Sequence, residues 1–391
     1  MRARPSMNRK AHSALLVATG IFCVAVAAGL PFRQTARVET YAWRLPLGFP
    51  EPLVPADNPM TVPKVELGRY LFYDTRMSTN GRQSCAGCHR QDLAFTDGKK
   101  VSAGTTGELH PRNAMSLVNV AYSSVLTWNN PTKTKLEDQA LVPMFGTHPV
   151  ELGLRKGDKF LPTLRADRTY RALFPRAFPG KADPYTIENV TKSIACFERS
   201  IISAQSPYDR YHYERDDAAV SDSAKKGEEL FFSERCACFH CHGGFNFSDA
   251  TVTKRSGPRS AEFHNNGLYN VNGKYSYPSP NLGIYEYTKR ASDIGKFKAP
   301  TLRNIAVTGP YMHDGSIATL GEVVDHYAAG GRTIASGPFS GVGSKNPNKD
   351  PRIGGFPLTE QDRSDIVAFL ESLTDHDVLK DPRFANPWPT R

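Results

Sequence analysis

Two short runs carry the reactive residues of this chain: CAGCH at 85–89 and CACFHCH at 236–242. Each contains Cys-x-x-Cys-His, as Cys85/Cys88/His89 and Cys238/Cys241/His242. That spacing is the attachment signature of c-type haem. Two thioether bonds fix the edge of the macrocycle to the backbone, and the adjacent imidazole is held against the iron as proximal ligand. Zinc competes as a reading, because Cys-x-x-Cys also suits a tetrahedral site; two copies of the whole pentapeptide favour haem. Three of the seven cysteines remain: Cys23, Cys196 and Cys236. Cys236 is not needed by a haem, and either pairs with Cys196 or stays a buried free thiol.

The segments around the two motifs repeat. GRYLF at 68–72 precedes the first and GEELF at 227–231 the second; AFTD at 94–97 and FSD at 247–249 follow them. Each unit therefore reads as a Leu-Phe helix, a loop, the haem pentapeptide and an aromatic-Ser/Thr-Asp turn. Elsewhere the apolar spacing is helical: Ile187, Val190, Ile194, Phe197 and Ile201 form one stripe, and Ile366, Phe369, Leu370 and Leu373 another, behind a cap at Thr359. Runs of alternating polarity are scarce, and 100–115, 250–295 and 333–358 are polar, Gly/Pro-rich loops. The expected fold is mostly α: two cytochrome c-like haem domains with long ordered loops, over 45–205 and 215–380, joined near 204–216.

Residues 1–31 read as an export signal, with a basic start, an apolar core and a small-residue AVAAG end. An uncleaved N-terminal anchor is the alternative. Either way the body is expected outside the cytoplasm, in the periplasm. The formal charge of +10 includes Arg2, Arg4, Arg9 and Lys10 of the leader, and no basic run is interleaved with aromatics. Nucleic acid is therefore excluded as a partner, while a basic surface can steer an acidic protein.

A second axial ligand decides whether a haem binds oxidant or only passes electrons. In ATLGEVVDHYAAGG (318–331), Thr319 and Glu322 form a capping box and Gly330 a stop. Leu320, Val323, Val324 and Tyr327 share the inward face, with His326 turned away from it. By periodicity alone Tyr327 is a core aromatic.

KAPTLRNIAVTGPYMHDGSIATLGEVVDHY together with CAGCHRQDLAFTDG resembles the di-haem bacterial cytochrome c peroxidase and MauG family, over nearly all of the chain after the leader. The resemblance implies two covalently bound haem c groups. It implies that Tyr327, where the peroxidases carry Met and the MauG branch Tyr, is the second ligand of the His242 haem. The His89 haem is then the peroxide-reactive one. Thr105 stands where the peroxidases have a blocking His, with His110 nearby, so an open site is expected. Gln139 and Glu151 match distal residues that orient peroxide and move its proton. Trp128 matches an electron relay between the haems, although Asn-Asn-Pro follows it where the family has Asp-Gly-Arg. Asn113, Thr308 and Pro310 match the oxygen ligands of one calcium ion, and His313 a haem-side residue.

YNVNGKY, SPNLGIYEYT and HYAAGGR look most like the MauG-like di-haem enzymes of methanobactin gene clusters. The expected function is hydrogen peroxide-driven oxidation of a side chain, Trp to kynurenine, on a periplasmic and copper-binding partner protein, through a bis-ferryl-type state. The rivals are a peroxide-detoxifying cytochrome c peroxidase and a non-enzymatic di-haem electron carrier, the latter needing a ligand such as His110.

Overall fold

The computed structural model describes residues 39–389 other than Lys156. The leader and Cys23 lie outside the described residues. The first half carries α1 (Val62–Tyr73), α2 (Cys85–Cys88), α3 (Leu136–Phe145), α4 (Phe160–Ala166), α5 (Arg168–Ala177) and α6 (Ile187–Ser200). The second carries α7 (Pro207–Glu214), α8 (Asp222–Phe231), α9 (Tyr285–Thr288), α10 (Leu320–Ala328) and α11 (Glu360–Ser372). The sheet content among the described residues is one hairpin, β1 (Thr333–Ile334) against β2 (Gly341–Val342), so the fold is mostly α as expected.

The long helices start where hydroxyl side chains cap them. Thr61, Thr186 and Ser221 accept from the backbone N–H of Lys64, Asn189 and Ala224, at the starts of α1, α6 and α8. Thr319 with Glu322, and Thr359 with Asp362, close reciprocal capping boxes on α10 and α11. These helices pack in two equivalent pairs, α1 on α6 and α8 on α11. In both pairs a glycine is the point of contact. A Cβ on Gly68 would lie 1.9 Å from the Ser193 carbonyl oxygen, and one on Gly227 1.9 Å from that of Asp365. Only glycine lets the backbones meet this closely. Phe197 and Phe369 then sit against the same two crossings.

A core grows around each pair. Leu67, Leu71, Phe72, Ile194 and Phe197 lead the first; Phe231, Ile366, Phe369 and Leu373 lead the second. Each such side chain contributes about 1.5–3 kcal/mol when fully buried. The C-terminal tail returns to the first core through Val378 and Phe384, and the Trp388 indole N–H donates to the Tyr70 carbonyl at 3.0 Å. The junction 204–216 contains α7, capped by Ser206 and Asp209. Asp209 holds Arg303 by two buried hydrogen bonds of 2.9 Å, so this segment is anchored rather than slack.

Pairing of Cys196 with Cys236 does not occur. Both thiols are free, because Cys196 faces Asn58 beside the first core while Cys236 belongs to the second.

Candidate haem sites

The two pentapeptides hold their histidines in the same way. His89 Nδ1 lies 2.8 Å from the Phe95 carbonyl oxygen, and His242 Nδ1 3.1 Å from that of Phe247. Each phenylalanine has positive φ, 60° and 49°, which turns its carbonyl onto the ring. A hydrogen bond of this kind places the proton on Nδ1 and leaves Nε2 free for a metal. Burial lowers both imidazole pKa values, which keeps Nε2 a neutral donor.

The repeat runs further than the turns after the motifs. Ser116 Oγ donates to the Ala94 carbonyl (2.6 Å) as Thr301 Oγ1 donates to that of Asn246 (2.7 Å). Asn119 and Asn304 both take left-handed φ and open short 3₁₀ turns. The readable signal was AMSLVN at 114–119 against APTLRN at 299–304.

A cavity of about 460 Å³ opens beside the second motif. Cys238, Cys241, His242 and Tyr327 all line it, as do Trp128, Asn113, Thr308, Pro310 and His313. Thr96, Met115 and Ser116 of the first unit line it too. Most of the residues picked out in the sequence are thus drawn to one space. Its size, the paired thiols and the histidine with a free Nε2 suit a haem. A buried polar atom of the lining that has no partner among the described residues, His313 Nε2, fits the same conclusion.

Tyr327 projects from α10 into this cavity, and burial raises its phenol pKa to about 12. His326 does not line it, but is buried with Nε2 3.0 Å from the Asn266 carbonyl. Met312 also lines the cavity, its thioether accepting from Asn266 Nδ2 at 3.3 Å.

Asn113, Trp128 and His313 form one knot. The Trp128 indole donates to the Asn113 carbonyl at 2.9 Å, and Asn113 N–H to that of His313 at 2.8 Å. The His313 ring stacks on Phe297 with centroids 3.7 Å apart, and burial lowers its pKa to about 4.

The sequence reading missed three groups here. His264 is clamped between Asp249 (2.7 Å) and Asp350 (2.8 Å). Burial opposes its charge, but hydrogen bonds to Asp249, Cys241 and Asp350 prevail and hold its pKa near 11. Lys298 donates to the Val125 carbonyl at 2.7 Å, and burial lowers its pKa to about 7. Both line the cavity. The third, Glu198 on α6, lies instead near Cys85 of the first motif and is buried, with burial raising its pKa to about 8. Only the FSD repeat pointed at the His264 group, through Asp249.

Near the first motif, Thr105, His110 and Glu151 converge. Thr105 N–H donates to the Glu151 carbonyl at 2.8 Å, and His110 Nε2 lies 4.0 Å from Glu151 Oε1. Among the described residues no side chain donates to the Glu151 carboxyl, and burial raises its pKa to about 7. Gln139 stands half-buried on α3. The strand-like run beyond Glu151 binds the end of that helix, Leu152 N–H to Pro143 and Leu154 N–H to Met144, both at 2.9 Å.

The chain is 36% identical over 358 residues to "Cytochrome-c peroxidase IdrP1" of Denitromonas iodatirespirans, covering 86% of this chain and 89% of that one. It belongs to the di-haem cytochrome c peroxidase/MauG family. The family model "Di-haem cytochrome c peroxidase" matches residues 62–218. "Methylamine utilization protein MauG" of Methylorubrum extorquens is 33% identical over 333 residues, 85% of this chain and 83% of that one. Among solved structures, a MauG-like protein associated with microbial copper homeostasis superposes with a TM-score of 0.87 at 45% identity, covering 90% of this chain and all of that one. As a member of this di-haem family the chain is an oxidoreductase of the peroxidase type that takes two haem c groups. Among its described residues no helix is long and apolar enough to cross a membrane.

Proposed function

We propose that this di-haem enzyme uses hydrogen peroxide to oxidise a side chain of a periplasmic partner protein. Two haem-bearing units, over 45–205 and 215–380, divide the work. The haems supply the two-electron reduction of peroxide to water; the chain supplies their ligands, a base and an electron path. His89 and His242 are the proximal ligands, tied at Nδ1 to Phe95 and Phe247. Glu151, with Gln139, faces peroxide at the first haem, where the carboxylate carries a proton from the inner to the outer oxygen.

The observation that carries the reading is Tyr327 in the wall of the cavity that the second pentapeptide also lines. As a phenolate it is a hard, anionic donor that stabilises oxidised iron better than a thioether does. This favours storing oxidising equivalents over receiving electrons from a small cytochrome, which sets the detoxifying peroxidase second. Trp128 couples the two sites. Asn113, Thr308 and Pro310 border the same space and offer oxygen atoms of the kind calcium takes.

The 45% identity to a MauG-like protein associated with copper homeostasis supports a partner linked to copper; we propose that the partner is copper-binding and that the side chain oxidised on it is a Trp, with kynurenine as its product. Mass spectrometry of copper-binding proteins encoded beside this chain, after incubation with holoenzyme and peroxide, tests the proposal. An oxygen-bearing mass gain on one Trp-containing peptide is expected. No modification of any such protein, with fast turnover on reduced small cytochrome, overturns it in favour of the peroxidase.

A further inference from the structure

A chain of aromatic rings leaves the cavity beside the second motif for the surface. Phe297 and His313 line the cavity, stacked 3.7 Å apart. Tyr277 lies behind them, its ring centroid 6.3 Å from Phe297 and 6.2 Å from His313. Tyr269 follows at 5.5 Å, and Phe339 at 6.0 Å from Tyr269. Tyr277 and Tyr269 are buried, while Phe339 is 43% exposed. We infer that Tyr277 and Tyr269 form the route by which oxidising equivalents leave the haem centre, ending at the Phe339 surface where the partner's aromatic side chain docks.

The two phenols differ in a way that gives the route a direction. Tyr277 Oη donates to the Asn265 side-chain oxygen at 2.7 Å. An amide is not a base, so a hole does not settle there. Tyr269 Oη donates to Asp314 Oδ2 at 2.6 Å. A carboxylate at that distance accepts the phenol proton as the electron departs, so Tyr269 is the resting point. Rings also leave the cavity from Phe231, to the part-exposed Phe232 and, through Phe247, to Tyr208; there the phenol oxygen lies 3.4 Å from His212 Nδ1, a longer contact than the 2.6 Å from Tyr269 to Asp314.

The scaffold holds this end firmly. The hairpin β1–β2 carries Phe339 at its tip and lies backbone to backbone on 267–272. A Cβ on Gly341 would meet the Asn270 carbonyl oxygen at 1.9 Å, and one on Gly343 that of Gly267 at 1.8 Å. Asn272 N–H donates to the Ser340 carbonyl at 2.7 Å, which brings the loop of the exposed Tyr275 beside Phe339. The relay thus runs through YNVNGKY, a stretch the haem ligation does not use.

In each half-turnover Tyr269 sends one electron inward to the peroxide-oxidised haem centre and its proton to Asp314. The partner side chain then gives one electron to the Tyr269 radical, and Asp314 returns the proton. Two such passes withdraw two electrons from the partner and balance the reduction of one peroxide to two waters, with protons from solvent.

The inference rests on the proposed use of peroxide and a protein partner, but its test does not need the partner. Holoenzyme is mixed with stoichiometric peroxide and the nitroso spin trap MNP, and adducts are mapped by peptide mass spectrometry alongside freeze-quench EPR. Wild type is expected to carry adducts on 269–275 and a tyrosyl signal. Tyr269→Phe and Tyr277→Phe each keep the ring, and are expected to lose both and to slow the decay of the peroxide-oxidised spectrum about tenfold or more. The rate of that spectrum's formation stays unchanged. Asp314→Asn keeps every ring and is expected to lose the signal too, whereas Tyr287→Phe, an exposed tyrosine off the path, changes nothing. Adducts and decay rates at wild-type level in both Tyr269→Phe and Tyr277→Phe overturn the relay. Wild type that traps the radical yet modifies no partner supports the relay and overturns the partner reading.

Discussion

Glu151 offers the most direct test of the chemistry at the first haem. Among the described residues no side chain donates to its carboxyl, and burial lifts its pKa from the ordinary carboxylate range to about 7. Gly104 packs against this segment so closely that a Cβ would lie 1.7 Å from the Val150 carbonyl oxygen, which leaves the loop little freedom to relieve the burial by swinging out. A base must be unprotonated to accept the peroxide proton. At pH 6 roughly a tenth of the molecules carry the carboxylate and at pH 8 roughly nine tenths, so the second-order rate with peroxide should rise about tenfold across that interval. Stopped-flow Soret measurements on the holoenzyme would report it. Glu151→Gln should lower the rate by about 10²–10⁴ and flatten the profile. Because the folded pKa lies above the unfolded one, Glu151 favours the folded state most at low pH, and that contribution is lost as pH rises through about 7. Gln at this position should therefore stabilise the protein at pH 8 relative to wild type, so a slow variant is not a misfolded one. His110→Ala should leave the inflection in place. An inflection near pH 7 that survives in Glu151→Gln, or a rate there within about twofold of wild type, would refute the assignment.

Further expectations follow from the same geometry. Tyr327→Met should convert the second haem to His/Met ligation, raise its reduction potential in a spectroelectrochemical titration and abolish partner oxidation while leaving peroxide binding at the first haem intact. Gly68→Ala and Gly227→Ala must each force a helix pair apart, and denaturant titrations should show a loss of about 1–3 kcal/mol or more at either site. Asp209→Asn removes one half of a buried ion pair and strands the Arg303 guanidinium, costing about 3–5 kcal/mol by the same assay. The proposed calcium ligands Asn113, Thr308 and Pro310 predict that EGTA shifts the haem spectra through Asn113 and the Trp128 hydrogen bonded to it; spectra unchanged by the chelator in a protein shown to contain no calcium would refute that ligand set.

What could be read in the sequence was whatever depends on short-range pattern. The pentapeptides, the stripe of α6 and the boxes at Thr319 and Thr359 are local, and they stand where the spacing put them. Tyr327 was legible as an inward residue because α10 is short, regular and capped at a known point. His264 and Lys298 were not legible. Each sits in irregular chain, and each acquires its meaning from partners far away in sequence, Asp350 for one and the Val125 carbonyl for the other. Glu198 escaped because it lies on the buried face of a helix whose periodicity is satisfied without it. The return of 378–388 onto the first core was invisible for a similar reason: a Pro-rich tail with scattered aromatics carries no period.

The two glycine crossings have an evolutionary consequence. A helix pair joined at one side-chain-free point can be copied whole, and each copy remains a working clasp for a tethered cofactor whatever happens to the chain between clasp and terminal helix. Divergence is then confined to the connecting segments, which hold the distal groups in one half and α10 in the other. Two pigments with identical anchors can thereby acquire unequal temperaments, and a lineage can exchange one occupation for another by editing loops while its scaffold stays still.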